Sequence, residues 1–323
     1  MQKRTFGRSG WAVSPLCFGA WQLGGTWGDV SRESGIDTLH CAFDHGINMV
    51  DTAAAYGAGC SEEVVGAALD SWSGEEIFVA TKVLPVGRTE GRTDFQTIRG
   101  QYPPAYVRRE VEASLRRLRR DHIDLLQLHL WGADGLEELD WLAPLLALMG
   151  EGKVREIGVS LPDMGAETGI RLARTGLVSS IQTVFNIFDQ APVGPLFDEG
   201  RAAGTSFIAR VPFDSGALTG TWTRDTRSAW DPEDKRAQMY DGKRFDETLH
   251  RIDAVKAVTE TLYDRLSDAA LQFCLSDPAV TTIACGMRSR AEVEMNVRAL
   301  SAPSMPDEMR ASLTSHAWAH AFY

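Results

Sequence analysis

Short apolar runs alternate with longer amphipathic ones along most of the 323-residue chain. The short runs, rich in Val, Ile and Phe, occupy positions 13–18, 47–50, 77–80, 123–128, 156–159, 181–185, 207–209 and 281–284. Continuous apolar stretches of this length predict strands buried on both faces. Helices are predicted between them. Over 106–118, Val107, Val111, Leu115 and Leu118 recur at spacings of four, four and three, while Arg108, Arg109, Glu110 and Arg116 fall elsewhere around the helix. Positions 36–43, 62–69, 141–149 and 166–173 also read as helices, with Gly150 and Gly176 as stops.

Strand, helix, strand, repeated to eight strands, implies parallel pairing through right-handed crossovers. Eight such units in one chain of this length favour an α/β fold of the closed (β/α)8, or TIM-barrel, kind, forming one domain over 1–323. An open doubly wound sheet satisfies the same periodicity, which carries no information about closure. The stretches 84–104 and 215–248 interrupt the repeat and are rich in Gly, Arg, Asp and Thr. Long loops in a compact fold are usually functional covers, so both are expected over the catalytic face.

Composition narrows the field. With 33 Lys+Arg against 44 Asp+Glu the formal charge is −11, the wrong sign for a protein that neutralises phosphates, so no nucleic-acid partner is expected. No apolar run of about 18 residues occurs, so no membrane span is expected. The first ten residues are polar and basic without a following apolar stretch, so no secretory signal is expected either. The five cysteines (Cys17, Cys41, Cys60, Cys274 and Cys285) are odd in number and never at CxxC spacing, which points to a reducing cytoplasm. The sequence does not specify whether the chain is a monomer or a homo-oligomer.

The informative positions are the strand ends, which converge on one face of such a barrel. Apolar runs finish on Asp51, Lys82, His129, Ser160 and Arg210, while Gln182 and Asn186 bracket another. Ionisable groups ending buried strands need partners, because an unpaired buried charge is costly. Asp51 and Lys82 form the obvious ion pair, and Tyr56, five residues after Asp51, can turn back to the same mouth. A tyrosine ordinarily titrates near ~10. A neighbouring ammonium favours the phenolate, a carboxylate holds that ammonium, and a histidine alongside can orient a carbonyl oxygen. Singly, each residue reads equally well as a structural ion pair or a packed histidine. Converging, they read as a proton-transfer group.

These stretches resemble those of the aldo-keto reductases. The resemblance is carried by Gly19-Ala20-Trp21, by Val50-Asp51-Thr52-Ala53-Ala54-Ala55-Tyr56-Gly57, and by Cys60-Ser61-Glu62-Glu63-Val64-Val65-Gly66. It continues through Ala80-Thr81-Lys82-Val83, Ile123-Asp124-Leu125-Leu126-Gln127-Leu128-His129, Gly158-Val159-Ser160, Gln182 and Gly286-Met287-Arg288-Ser289 with Asn296. It implies a metal-free carbonyl–alcohol oxidoreductase using NADP(H), with NAD(H) as the alternative. It further implies Tyr56 as general acid/base, Lys82 and Asp51 tuning it, and His129 placing the carbonyl. The cofactor would lie along Gly19, Ala20, Trp21 and Asp51, with Ser160 and Gln182 on the carboxamide and Arg210 beside the nicotinamide. Val211-Pro212-Phe213-Asp214-Ser215-Gly216 would be the loop over the pyrophosphate, with backbone N–H groups as donors, and Leu218 would also bind the cofactor. Gly286, Met287, Arg288, Glu292 and Asn296 would take the adenosine, Arg288 suiting a 2′-phosphate.

Three positions depart from the family pattern. Leu161 stands where many members carry Asn, Arg210 where many carry an aromatic ring, and Glu292 where Arg or Gln is usual. A guanidinium beside the nicotinamide would favour the reduced, neutral ring over the oxidised cation. Glu292 would repel a phosphate but accept from a ribose hydroxyl.

Tryptophans complete the expectation. Trp21, Trp131, Trp222 and Trp318 are expected, with Tyr56 and His129, to wall an apolar pocket for a carbonyl or sugar-like substrate. Trp27 and Trp230 lie in the same predicted loops. Gly57-Ala58-Gly59 is followed by Glu62 where a dinucleotide fingerprint needs Gly or Ala. His316 and His320 have metal-compatible spacing without a third ligand. Six arginines over 108–120 read as a solvated helix end rather than a nucleic-acid patch. Two rival readings stand beside the enzyme: a cofactor-binding regulatory subunit of the same fold, and a metal-dependent barrel hydrolase or isomerase.

Overall fold

The structure, a computed structural model, describes residues 1–25, 30–88, 97–231 and 234–318. It opens with an antiparallel hairpin, β1 (Arg4–Phe6) and β2 (Trp11–Val13). The apolar run 13–18 therefore splits: Ser14 and Pro15 separate β2 from β3 (Leu16–Gly19), and Pro15 has no N–H to carry one strand through. Seven more strands follow, each preceded by one or more helices. In chain order these are α1 (Arg32–Asp44), β4 (Met49–Asp51), α2 (Cys60–Asp70), β5 (Phe78–Val83), α3 (Pro104–Leu118) and β6 (Ile123–Leu128). Then come α4 (Leu142–Gly150), β7 (Val154–Ser160), α5 (Ala166–Thr175), β8 (Ser180–Val184), α6 (Pro195–Ala203) and β9 (Ser206–Arg210). The chain continues through α7 (Lys235–Met239), α8 (Gly242–Thr259), α9 (Leu266–Ser276), β10 (Val280–Gly286), α10 (Arg290–Ala299) and α11 (Asp307–Leu313).

Strands β3 to β10 are all parallel and close into a barrel, β10 pairing with both β3 and β9. The alternative of an open sheet is thereby excluded. Pairing sets Gly19 beside Asp51, Asp51 beside Ala80, Lys82 beside Gln127, and Ser160 beside Gln182. Because strand side chains alternate with period two, each strand carries an inward series. Near the floor the series is apolar, with Cys17, Met49, Phe78, Ala80, Leu125, Ile208 and Ala284 in one buried cluster. One step further along lie Asp51, Lys82, Gln127, Gln182 and Arg210. The hairpin plugs the lower end: Phe6 and Val13 join the floor cluster, and Trp11 stacks on Phe6 and Phe78 at 5.7 and 4.9 Å between ring centroids. Outward residues such as Val50, Val79, Leu126, Val159 and Ile181 pack beneath the helices in the larger core.

Two expectations change. The segment 215–248 is a folded strap rather than a bare loop: it contains α7 and the start of α8, with Trp222, Trp230, Tyr240 and Phe245 packed ring on ring. Gly150 ends α4 in helical conformation and the left-handed turn falls on Gly152 (φ 74°), whereas Gly176 caps α5 at φ 62°. Residues 89–96 of the other long segment, together with Trp27 and His320, lie outside the described residues. The arginines around the end of α3 are tied to carboxylates: Arg108 to Glu151, Arg117 to Glu62, Arg119 to Asp70 and Arg120 to Asp124. Among the described residues no helix is long and apolar enough to cross a membrane, and no three His, Cys, Asp or Glu side chains gather as a metal site.

Candidate active site

The upper end of the barrel opens into a cavity of about 770 Å³, within the usual range for ligand pockets. Its floor is the buried ion pair. Lys82 Nζ donates to Asp51 Oδ2 at 2.6 Å, to the Thr52 carbonyl at 2.9 Å and to the Tyr56 hydroxyl at 3.1 Å, using all three of its N–H bonds. Asp51 Oδ1 accepts from Gln182 Nε2 at 2.8 Å and Gln127 Nε2 at 3.1 Å. The pair is thus fully engaged, which a buried pair requires. Burial alone would pull Lys82 down, but the Asp51 carboxylate and the Tyr56 hydroxyl outweigh it and hold the amine above its ordinary value, an ammonium at neutral pH.

Local chain geometry delivers Tyr56 to this point. After β4 the chain is tied by Ser61, whose hydroxyl meets Thr52 Oγ1 at 2.9 Å and donates to the Ala20 carbonyl at 2.7 Å. Tyr56 begins a short turn, Tyr56–Gly59, in which Gly57 (φ 59°) passes so near Gly24 that a Cβ would lie 2.3 Å from its carbonyl oxygen. Only glycine permits that approach. Trp21 stacks on Tyr56 at 5.9 Å, and Lys235 Nζ lies 4.7 Å from the Trp21 ring centroid. His129 presents its ring edge-on to Tyr56 at 5.9 Å. Burial, then the charges of Lys82 and Arg210, hold His129 well below its ordinary value, so it is neutral. Its Nδ1 is buried without a partner among the described residues.

The expected residues Gly19, Ala20, Trp21, Asp51, Tyr56, His129, Ser160, Gln182, Arg210, Val211, Pro212, Phe213, Ser215, Gly216, Trp222, Gly286, Arg288, Glu292 and Asn296 all line this one cavity. Leu218 and Met287 do not; both are fully buried behind it. Trp131 is a correction: it is 1% exposed, its ring N–H bonds the Thr168 carbonyl, and it packs edge-on against Trp141 at 5.1 Å. Trp318 also lies off the cavity, against Phe188 and beneath Arg251.

The loop after β9 carries positive φ at Val211 (58°), Asp214 (46°), Ser215 (56°) and Gly216 (109°). Such values are uncommon outside glycine and cluster at ligand-binding turns. The N–H groups of Asp214, Gly216 and Leu218 are spent on Val211 and Phe213 carbonyls, so these three are not the predicted pyrophosphate donors. Tyr240 pins the loop through its hydroxyl to the Asp214 carbonyl and Oδ2.

Two charge pairs alter the expectations for Arg210 and Arg288. Arg210 Nη2 bonds Asp163 Oδ1 at 2.8 Å and the Leu161 carbonyl at 3.1 Å, so a carboxylate offsets the charge expected to disfavour an oxidised nicotinamide. Glu292 accepts from the Arg288 N–H at 2.7 Å and from its guanidinium at 3.2 Å while capping the start of α10 with Ser289. Asp163, Gln22, Leu84, Leu130 and Arg236 line the cavity without having been anticipated. Nothing in their sequence surroundings marks them. Gln127 was legible in principle, being two residues before His129 on an inward series.

A nicotinamide dinucleotide fits this donor set: one cavity is lined by both Tyr56 and Asn296, with a buried histidine nitrogen and a Ser215 hydroxyl that lack partners among the described residues. The sequence comparisons agree with this chemistry. Residues 15–317 match the model of the Aldo/keto reductase family. An NADH-specific methylglyoxal reductase of Escherichia coli (strain K12) is 29% identical over 93% of this chain and 94% of its own. A probable voltage-gated potassium channel subunit beta of Arabidopsis thaliana is 27% identical over 93% and 91%. Among solved structures, a glycerol dehydrogenase of Gluconobacter oxydans superposes with a TM-score of 0.78 at 29% identity, covering 97% of this chain and 94% of its own. The chain belongs to the aldo/keto reductase family.

Proposed function

We propose that the protein interconverts a small carbonyl compound (an aldehyde, ketone or sugar) and its alcohol, with Tyr56 as general acid/base. The observation that carries this reading is the Tyr56 hydroxyl 3.1 Å from Lys82 Nζ, itself 2.6 Å from Asp51, at the floor of a cavity. A nicotinamide held in this cavity would supply or accept the hydride. In reduction Tyr56 gives its proton to the carbonyl oxygen, and the Lys82 ammonium stabilises the phenolate left behind. Neutral His129 donates a hydrogen bond that orients the carbonyl. Trp21, Leu84 and Leu130 exclude water from the reacting side.

Ser160 and Gln182 would hold the carboxamide, and Asn296 the adenine. At the ribose 2′ position the Arg288–Glu292 pair supports NAD(H), or use of both cofactors, over strict NADP(H). A 2′-phosphate would have to take Arg288 from Glu292 and sit against a carboxylate. The E. coli relative, named as NADH-specific, points the same way. Five thiols without a disulfide fit a reducing cytoplasm. The likeness to a plant channel β-subunit supports a second reading, a cofactor-binding regulatory subunit with little turnover.

A carbonyl and sugar panel followed by loss of NADH or NADPH absorbance separates the two. Turnover is expected, and Tyr56→Phe should lower kcat by about 10²–10⁴-fold while cofactor Kd stays within about twofold. Cofactor binding with no turnover on any carbonyl would favour the regulatory subunit.

A further inference from the structure

Just below the Asp51–Lys82 pair, the hydrogen bonding of the barrel interior stops short of closing. Gln127, fully buried and paired in register with Lys82, directs its amide nitrogen to Asp51 Oδ1 at 3.1 Å. An ionised carboxylate can only accept, so the amide turns its N–H to Asp51 and its oxygen away. Among the described residues that oxygen has no partner, and neither has the fully buried hydroxyl of Ser180 on β8. Ser180 and Gln127 close over Gly158 of β7, where a Cβ would fall 2.4 Å from Ser180 Oγ and 3.3 Å from Gln127 Cγ, so any side chain there would drive the two apart. Leaving a buried acceptor unmatched is costly, and native interiors meet such groups with ordered water.

We propose that Gln127 is a positioning residue for the Asp51–Lys82–Tyr56 chain, its amide oriented by an internal water shared with Ser180. The inference rests on Tyr56 acting as general acid/base. With Gln127 and Gln182 both on Oδ1, the carboxylate cannot rotate about its bond to Lys82, and Nζ stays aimed at the Tyr56 hydroxyl. Without Gln127 the carboxylate keeps one amide and gains freedom. It also becomes a stronger partner for Lys82, leaving less of the ammonium's charge for a phenolate. Both effects make Tyr56 a weaker acid.

The test is Gln127→Leu, similar in volume and without a donor. Expected are a loss of kcat of about ten- to a hundredfold, as for a displaced catalytic group, and an alkaline limb of the kcat–pH profile moved upward by about one unit. KM and cofactor Kd should hold within about twofold, which a general loosening of the fold would not allow. Ser180→Ala, which keeps Gln127, should move the profile the same way by less, and a high-resolution crystal structure should show water at the Gln127 amide oxygen. Should Gln127→Leu fail to fold, the Ser180→Ala profile and that density decide. Unchanged kcat and pH profile in Gln127→Leu, or empty density beside the amide oxygen, would overturn the inference. A wild-type enzyme without Tyr56-dependent turnover would instead overturn the functional reading and this inference with it.

Discussion

Replacing Lys82 with Met removes a cation and leaves a chain of similar length. The lysine side chain is fully buried and its ion-pair partner Asp51 is 5% exposed, so the variant strands an anion that water cannot reach. Breaking a buried pair from one side costs about 3–5 kcal/mol. Here the cost should sit near about 3 kcal/mol, because Gln127 and Gln182 still donate to the carboxylate. At roughly 2–3 °C per kcal/mol for a chain of this size, Tm should fall by about 6–9 °C. Adding Asp51→Asn removes the stranded charge, so the double variant should regain most of that loss. Turnover should return in neither, because the ammonium 3.1 Å from the Tyr56 hydroxyl is gone in both. Thermal unfolding by circular dichroism, beside a reduced-cofactor assay, reads both quantities. A Lys82→Met protein that melts within about 1 °C of wild type would refute the buried-pair argument, as would a double variant no more stable than the single one.

Three further predictions follow from the same contacts. His129 is held well below its ordinary value of about 6.5 by burial and by Lys82 and Arg210, so as pH falls through about 6.5 the unfolded chain takes up a proton that the folded one refuses. Stability is therefore lost on the acid side, and Tm of His129→Gln should decline less than that of wild type between about pH 7 and pH 5; equal declines would assign the effect to other groups. Glu292→Gln removes the carboxylate that faces the 2′ position beside Arg288, and the Kd ratio should move toward NADP(H) by about fivefold, the size of a half-exposed charge contact; an unmoved ratio would remove Glu292 from cofactor selection. Trp131→Ala should cost about 3–5 kcal/mol of stability with substrate KM little changed, because the ring is 1% exposed and packed on Trp141; a selective rise in KM would return Trp131 to the pocket wall.

The eight barrel strands, helices α1 to α5 and the set Asp51, Tyr56, Lys82 and His129 were legible in the sequence; the β1–β2 hairpin and the helices of the strap were not. Strand burial leaves a continuous apolar run and a polar residue at its end, and both are local properties of the chain. Barrel closure was decided in three dimensions, because it depends on β10 pairing with β3 across almost the whole sequence. The same holds for Asp163 on Arg210, separated by 47 positions, and for Gln182 on Asp51, separated by 131. Trp131 shows the limit from the other side: adjacency to His129 and Leu130 said nothing of its direction, and packing against Trp141 turned it into the core. Periodicity reports which residues leave water. Which of them then meet is settled only when distant strands close the ring and each buried charge must find its partner.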